Sequence, residues 1–337
     1  MSTHANIPVF IPHLGCNNQC VFCNQRSISG VARFEPSKVK DIIEDALLTV
    51  GSDREVEIAF FGGSFTGIDR DLMIYLLELA YSYVQSGRVK SIRCSTRPDY
   101  INNEILDILE KYGVRVIELG LQSADDSVLT ATRRGHSFED ERAACELIVS
   151  RGFTLVGQMM IGLPLSSRES ELKTADFIIS TGAKAARIYP TVVFHDTELC
   201  KMAKNGIYEP LSLEEAVRRS ALVMKRFVDA GVDVIRIGLH ASENLQSDST
   251  YYSGPNHPAL GELVINELYY ELIKNELYKL GEEYSGDVKV TVTRGFLSKA
   301  IGQKRRNLLK LKENFPRLNI TISEGDGPTK YSISVER

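Results

Sequence analysis

No apolar run in this 337-residue chain approaches the ~18 residues of a membrane span. The first ten residues, MSTHANIPVF, lack the basic start and long apolar core of a signal peptide. Six cysteines without a secretory context do not make a disulfide framework. The dinucleotide fingerprint G-x-G-x-x-G and the P-loop G-x-x-x-x-G-K-[ST] are both missing, which weighs against a nicotinamide enzyme or an NTPase. No internal repeat or low-complexity tract is found. Charge of one sign is lacking too: 40 Lys and Arg against 44 Asp and Glu leave a net −4 and no general call for a polyanion. The chain is expected to be cytoplasmic, with no membrane partner.

What is present is an ordinary folding composition, 43% hydrophobic and 25% charged. The length suits about two domains, or one barrel with an appendage, and buries a large core without staples. Strand-like runs occur at Ile7–Leu14, Val56–Phe61, Ser91–Thr96, Val116–Leu121, Thr154–Ile161 and Ala185–Phe194. Helix-period segments separate them near 36–50, 70–86, 102–111, 138–151, 167–180 and 213–230, and Val232–Leu239 is a candidate seventh strand. Two helix starts carry capping-box spacing, Ser166-x-x-Glu169 and Ser212-x-x-Glu215. Alternating units with near-continuous apolar strands predict an α/β fold with a parallel sheet covered by helices. Six units fit a partial (β/α)6 barrel over residues 1–240, with a doubly wound open sheet as the competitor.

From Ala241 the texture changes. Residues 241–285 read as a polar connector followed by an acidic amphipathic helix, about Pro258–Leu280, and a Gly281–Gly286 linker. Residues 286–337 form a separate basic unit. Its segment 287–317 holds nine Lys and Arg against two acids, a local +7 that leaves −11 on the rest.

Three cysteines fall within eight residues, Cys16-Asn-Asn-Gln-Cys20-Val-Phe-Cys23, on the loop expected at the carboxyl end of strand one. Barrel enzymes build their sites at that end. Thiolates suit zinc or an iron–sulfur cluster, each normally needing four ligands. Either His13 or a remote group supplies the fourth here, or one metal position stays open for a ligand. The x3-then-x2 spacing with Phe22 before Cys23 argues against structural zinc. Cys94, Cys145 and Cys200 are scattered and read as small core residues.

This C-x3-C-x2-C motif, with an aromatic before the last cysteine, resembles the radical S-adenosylmethionine (SAM) superfamily. The resemblance implies a 4Fe–4S cluster on Cys16, Cys20 and Cys23, with SAM chelating the fourth iron. One-electron reduction, for which an electron donor protein is implied, would cleave SAM to methionine and a 5′-deoxyadenosyl radical that abstracts hydrogen from a substrate. Phe61-Gly-Gly-Ser-Phe-Thr66 resembles the family's Gly-Gly-Glu motif, placing Gly62 and Gly63 against the methionine amino group, with Ser64 where many members have Glu. Ile117–Ser123 with Arg133-Arg-Gly-His136 resembles a narrower group that includes the Elongator catalytic subunit. By that match Gln122 would bond the ribose of SAM and Arg134 its carboxylate. Gly157–Pro164 resembles the strand-five motif, whose backbone near Ile161 meets adenine. Ser95-Thr-Arg-Pro-Asp99 resembles the group's E-T-R-P-D with Ser95 replacing Glu. Arg187-Ile-Tyr-Pro190 and Gly254–Pro258 also look like that group, with no role assigned to Tyr189 or His257.

The Elongator subunit carries an acetyltransferase domain, for which no counterpart is read in this sequence, so acetyl-CoA chemistry is not expected. Methylthiotransferases need a second cysteine set, which Cys94, Cys145 and Cys200 do not form by spacing. The order Val288–Thr293, Gly295–Ile301, Gly302-Gln-Lys-Arg305, Arg306–Phe315, Leu318–Ser323 resembles a KH domain, whose G-x-x-G loop clamps a nucleic-acid backbone. Arg305 stands in place of the second glycine. RNA, with tRNA favoured, is therefore the expected substrate, contacted by Lys299, Lys304, Arg305 and Arg306. The alternatives are a radical enzyme acting on a small molecule or protein, a non-enzymatic iron–sulfur RNA-binding or sensing protein, and a structural zinc protein.

Overall fold

The computed structural model describes residues 4–12, 14–16, 19–24, 33–51, 54–239, 247, 249–281 and 283–336. His13, the candidate fourth ligand, lies outside the described residues. The first part of the chain runs β1 (His4–Ile11), α1 (Val39–Thr49), β2 (Glu55–Gly62), α2 (Arg70–Gln85), β3 (Ser91–Thr96), α3 (Asn103–Lys111) and β4 (Val114–Gln122). It continues through α4 (Asp126–Ala131), α5 (Phe138–Ser150), β5 (Thr154–Ile161), α6 (Arg168–Ser180) and β6 (Ala185–Pro190). Then come β7 (Val193–Phe194), α7 (Glu198–Lys204), α8 (Leu213–Asp229) and β8 (Asp233–Ile237).

Strands β1-β2-β3-β4-β5-β6-β8 form one parallel sheet in that order, curled into a half-barrel. The predicted partial barrel is thus present, with β8 added as a seventh strand. Among the described residues every crossover contains at least one helix, as parallel neighbours usually need. Alternate strand residues such as Ile7, Val9, Ile58, Phe60, Ile92, Ile117, Leu119 and Ile188 are buried under the helices. Met73, Leu76 and Leu77 of α2, Leu106 and Leu109 of α3, and Phe227 of α8 meet them. Each such side chain contributes ~1.5–3 kcal/mol when fully buried. Cys94 and Cys145 belong to this core and Cys200 to a smaller cluster, matching their reading as small core residues.

Several boundaries differ from the sequence reading. β1 ends at Ile11 rather than Leu14, because the carbonyl of Leu14 already accepts from Ser64 N in a turn. The run Ala185–Phe194 splits into β6 and β7, and β7 leaves the main sheet to pair antiparallel with β9 (Tyr251–Ser253). The cap of α6 is Ser167, not Ser166: Ser167 and Ser170 form the capping box, while Ser166 Oγ donates to Glu171. Ser212 does cap α8, accepting from Glu215 N.

The remainder is α9 (Leu260–Tyr278), β10 (Gly286–Thr293), α10 (Leu297–Ile301), α11 (Arg306–Asn314), β11 (Leu318–Gly325) and β12 (Ile333–Glu336). β10 lies between β11, parallel to it, and β12, antiparallel to it. The expected amphipathic helix α9 is buried on two sides. Val264 and Leu268 enter the barrel core, whereas Tyr269, Tyr270, Ile273 and Leu277 enter the core of the small sheet. Between α10 and α11, Lys304 and Arg305 both hold left-handed backbone angles, φ 51° and 61°. A Cβ on the preceding Gly302 would sit 2.9 Å from the Asn307 side chain, so only glycine fits there. Asn307 in turn donates to the carbonyls of Asn266 and Ala300, fastening this loop to α9. Among the described residues no helix is long and apolar enough to cross a membrane.

Candidate active site

The three-cysteine loop leaves the carboxyl end of β1 and is held from both flanks. Val21 N donates to Thr132 O, and Val21 O accepts from Leu199 N. Val21 is buried among Val193, Leu199 and Tyr208, and Phe22 packs against the same cluster. Cys20 is buried, Cys23 half-buried and Cys16 exposed. Before the cysteines, the loop presses on the turn after β2. Gly63 N donates to Ile11 O at 2.8 Å, and a Cβ on Gly63 would lie 2.1 Å from Leu14 O. Glycine is therefore required at 63 by the cysteine loop itself, whatever else approaches its backbone. Gly62 precedes it at φ 109°.

Ser64 ties this turn to β3. Its Oγ lies 3.0 Å from Thr96 Oγ1 and accepts from Arg97 N at 3.1 Å. Thr66 Oγ1 is 2.6 Å from the same Thr96 hydroxyl. Pro98 keeps the residue before it extended, and Arg97, at φ −102° and ψ 155°, turns back toward the cysteines. Arg97 donates Nε and Nη2 to the two carboxylate oxygens of Asp99, at 2.8 and 2.9 Å. The same Nη2 reaches Arg134 O, and Nη1 lies 3.9 Å from Cys20 Sγ.

Gln122 approaches from the end of β4 and Arg134 from the loop between α4 and α5. The β4–β5 register shifts between Gly120 and Gln122, and Gln122 sits at φ 76°. Such a bulge re-aims a side chain. Gln122 Oε1 is buried without a hydrogen-bond partner, and so is Arg134 Nε. The remaining Arg134 nitrogens are engaged: Nη1 donates to Cys20 Sγ at 3.3 Å and Nη2 to Gly120 O. Ile161 ends β5 with its side chain in the core and its carbonyl accepting from both Thr191 N and Oγ1, each at 2.8 Å.

Behind Arg97 stand further buried charges. His136 Nδ1 is 3.6 Å from Asp99 Oδ1, and its Nε2 is 3.0 Å from Glu141 Oε1. Burial works against the Asp99 carboxylate, but hydrogen bonds from His136 and Arg97 outweigh it and hold its pKa below the usual range. For Glu141, burial dominates the opposing His136 and Arg134 interactions, and its carboxyl is pushed up to about 7.

A second charge array crosses the inner face of the sheet. His4 Nε2 meets Glu57 at 2.7 Å, Arg93 Nε meets Glu57 at 3.1 Å, and Arg93 Nη1 meets Glu118 at 3.2 Å. Arg187 Nε then meets Glu118 at 2.7 Å, and its guanidinium carbon lies 5.3 Å from the centre of the Phe61 ring. Arg187 Nη1 also donates to Tyr189 OH at 3.3 Å. Neither array was read as such from the sequence. The Thr-Arg-Pro-Asp, Ile117–Ser123, Arg133–His136 and Arg-Ile-Tyr-Pro strings contain Arg97, Asp99, Glu118, His136 and Arg187, but none of them signals the pairing.

The structure thus brings Cys16, Cys20, Cys23, Gly62, Gly63, Gln122, Arg134 and Ile161 to one end of the half-barrel. Phe22 stands on the cysteine loop itself. Lys299, Lys304, Arg305 and Arg306 lie apart on the small module, where Arg306 comes 3.9 Å from Glu214 of α8. Among the described residues, no three His, Cys, Asp or Glu side chains gather as a single metal ion requires. A four-iron cluster takes each thiolate on a different iron, so its cysteines stand further apart. Three thiols with guanidinium donors on one of them, and unpartnered Gln122 and Arg134 atoms beside them, fit an anionic cluster with a polar ligand.

The family model of the Radical SAM superfamily matches residues 10–178, and that of the Radical SAM C-terminal domain matches residues 183–270. The chain is 28% identical over 183 residues to the tRNA uridine(34) acetyltransferase of Methanocaldococcus infernus, covering 48% of this chain and 34% of that protein. It is 26% identical over 254 residues to Elongator complex protein 3 of Dictyostelium discoideum, covering 63% of this chain and 45% of the relative. The chain therefore spans well under two thirds of the length of these two relatives. Among solved structures, archaeal Elp3 of Methanocaldococcus infernus, with an N-terminal deletion, shares the fold at TM-score 0.58 and 21% identity. That likeness covers 80% of this chain and 68% of that one. Motifs, half-barrel and family matches converge: the chain belongs to the Radical SAM superfamily, with an Elongator-like radical domain.

Proposed function

We propose that Cys16, Cys20 and Cys23 hold a 4Fe–4S cluster and that SAM binds beside it, against Phe22, Gly62, Gly63, Gln122, Arg134 and Ile161. The observation that carries this reading is the Arg134–Cys20 contact next to the buried, unpartnered Gln122 Oε1. Bound there, cluster and SAM would supply one-electron reductive cleavage and the radical chemistry that follows from it. The protein's own part is to bind, orient and exclude water. Gly62 and Gly63, packed against the end of β1 and the cysteine loop, put main chain rather than side chain beside the proposed cofactor. Gln122 offers an acceptor and donors for hydroxyls, and Arg134 offers donors for a carboxylate.

The second substrate in this reading is RNA, with tRNA favoured. Its support is the tRNA named for one relative and the exposed Lys304, Arg305 and Arg306 on the turn between α10 and α11. Lys304 and Arg305 both hold left-handed backbone angles, which turn the chain sharply between the two helices at the position of the G-x-x-G-like segment.

The test is 5′-deoxyadenosine release by the anaerobically reconstituted chain, with reductant and SAM, with and without bulk tRNA. The expected result is product that rises with tRNA and disappears in Cys20→Ala. Product indifferent to tRNA removes the RNA substrate and keeps the radical chemistry. No product under any condition overturns the catalytic reading and leaves an iron–sulfur binding or sensing protein.

A further inference from the structure

Arg97 is 4% exposed and enters none of the roles above. A buried guanidinium must be paired and fully hydrogen-bonded to be tolerated. One edge of this one is closed by both oxygens of Asp99, and its Nη2 is shared with Arg134 O. Its third nitrogen, Nη1, is left facing Cys20 Sγ. The main chain of Arg97 is fixed as well, through the bond from its N–H to Ser64 Oγ. Asp99 is itself paired with His136, which in turn meets Glu141, so the carboxylate that closes the fork is held from behind.

Two guanidinium groups therefore converge on one thiol, and they are not equivalent. Arg134 keeps an unpartnered Nε and is the group a bound carboxylate would engage. Arg97 has its fork filled by Asp99 and stays committed to the sulfur. Positive charge and N–H donors at a cluster sulfur favour the more negative, reduced state, and hydrogen bonding to the sulfurs sets cluster potential.

We infer that Arg97, clamped by Asp99, is a positioning residue that holds the Cys20 sulfur and sets how readily the cluster accepts its electron. The inference rests on the cluster reading above. The step concerned is transfer of one electron from a one-electron donor to the oxidised cluster, with no bond made or broken and no proton required. Arg97 and Asp99 act on it with opposite signs. Removing the guanidinium makes reduction harder, whereas removing the carboxylate leaves the guanidinium charge uncompensated and makes it easier.

The experiment is a redox titration of the reconstituted full chain without SAM, using dithionite and following the reduced cluster by electron paramagnetic resonance. Wild type, Arg97→Gln and Asp99→Asn are compared at matched iron and sulfide content. In Arg97→Gln the reduced-to-oxidised ratio at the wild-type midpoint is expected to fall about tenfold, a downward shift of about 59 mV for one electron. In Asp99→Asn the midpoint is expected to rise. Unshifted midpoints, or shifts of the same sign in both variants, overturn the inference. If Arg97→Gln does not fold, Asp99→Asn decides alone: an upward shift supports the inference, and an unchanged or lowered midpoint overturns it. Wild-type chain that takes up no cluster overturns the cluster reading and the inference with it. Loaded wild type with unshifted variants overturns the inference alone.

Discussion

Arg134 and Cys20, 114 positions apart in the sequence, meet with guanidinium nitrogen and sulfur 3.3 Å apart. The contact joins the cysteine loop to the loop between α4 and α5, and it depends on Arg134 being held at Gly120 O by its other terminal nitrogen. Arg134→Ala removes donors from both the thiol and the proposed carboxylate site. Hydrogen bonds to charged groups contribute ~1.5–3 kcal/mol, so SAM affinity is expected to fall by about 10- to 100-fold. Equilibrium binding of SAM to the reconstituted chain measures it. Affinity unchanged within about twofold would take Arg134 out of the site.

The inner-face array makes a prediction about stability. Glu118 is 2% exposed and accepts from both Arg93 and Arg187. Glu118→Ala leaves two buried guanidinium groups without their shared partner, a loss expected to cost about 3–5 kcal/mol. Glu104→Ala, which breaks the exposed pair with Arg70, is expected to cost under about 1 kcal/mol. Urea denaturation of the two variants side by side reads the contrast. Equal effects would mean that the array is not the structural floor its burial indicates.

Glu141 gives the chain a pH signature. Its folded-state pKa, about 7, lies above the ordinary 4.5, so between these values the folded chain holds a proton that the unfolded chain has released. Stability from this group is fully present below about pH 4.5 and is lost as pH rises toward 7. Asp99 is shifted the other way, and its contribution is lost only as pH falls below the ordinary carboxylate range. Thermal denaturation between pH 5 and 8 separates them. Glu141→Gln is expected to flatten the decline relative to wild type, and a parallel decline in both proteins would refute the assignment.

Much of the frame was legible because buried parallel strands are short apolar runs with clear ends. β3 and β5 were read with the bounds the structure gives, Ser91–Thr96 and Thr154–Ile161. Helix α4 was not read, since six residues, Asp126–Ala131, are too few to show a period. The cysteine, glycine and Gln-x11-Arg spacings mark the candidate site because each is local. The Arg97–Asp99 clamp behind Cys20 and the Glu57–Arg93–Glu118–Arg187 array were not legible as assemblies. Arg97 and Asp99 share one turn, but the approach of that turn to Cys20, like the meeting of the array's members on β2, β3, β4 and β6, is decided by sheet register, which no single segment encodes.

The basic turn offers the last prediction. Lys304, Arg305 and Arg306 are exposed, and the turn carrying them is fastened by the buried Asn307, while the Arg306–Glu214 pair is long and solvent-exposed and contributes little. Replacing the three with Gln should therefore leave the fold and the cluster site intact while removing phosphate contacts. Each phosphate neutralised contributes about 0.7–0.9 to the slope of log K against log salt. The triple variant is expected to bind tRNA more weakly and to lose about two to three units of that slope, with iron content and tRNA-independent SAM cleavage unchanged. Filter binding across a salt series reads both quantities. A weaker complex with an unchanged slope would mean that the turn acts through shape, and an unaltered complex would move the RNA surface off this module. Only a reduced slope identifies these side chains as the phosphate contacts, because counterion release is the one term that scales with the number of charges paired.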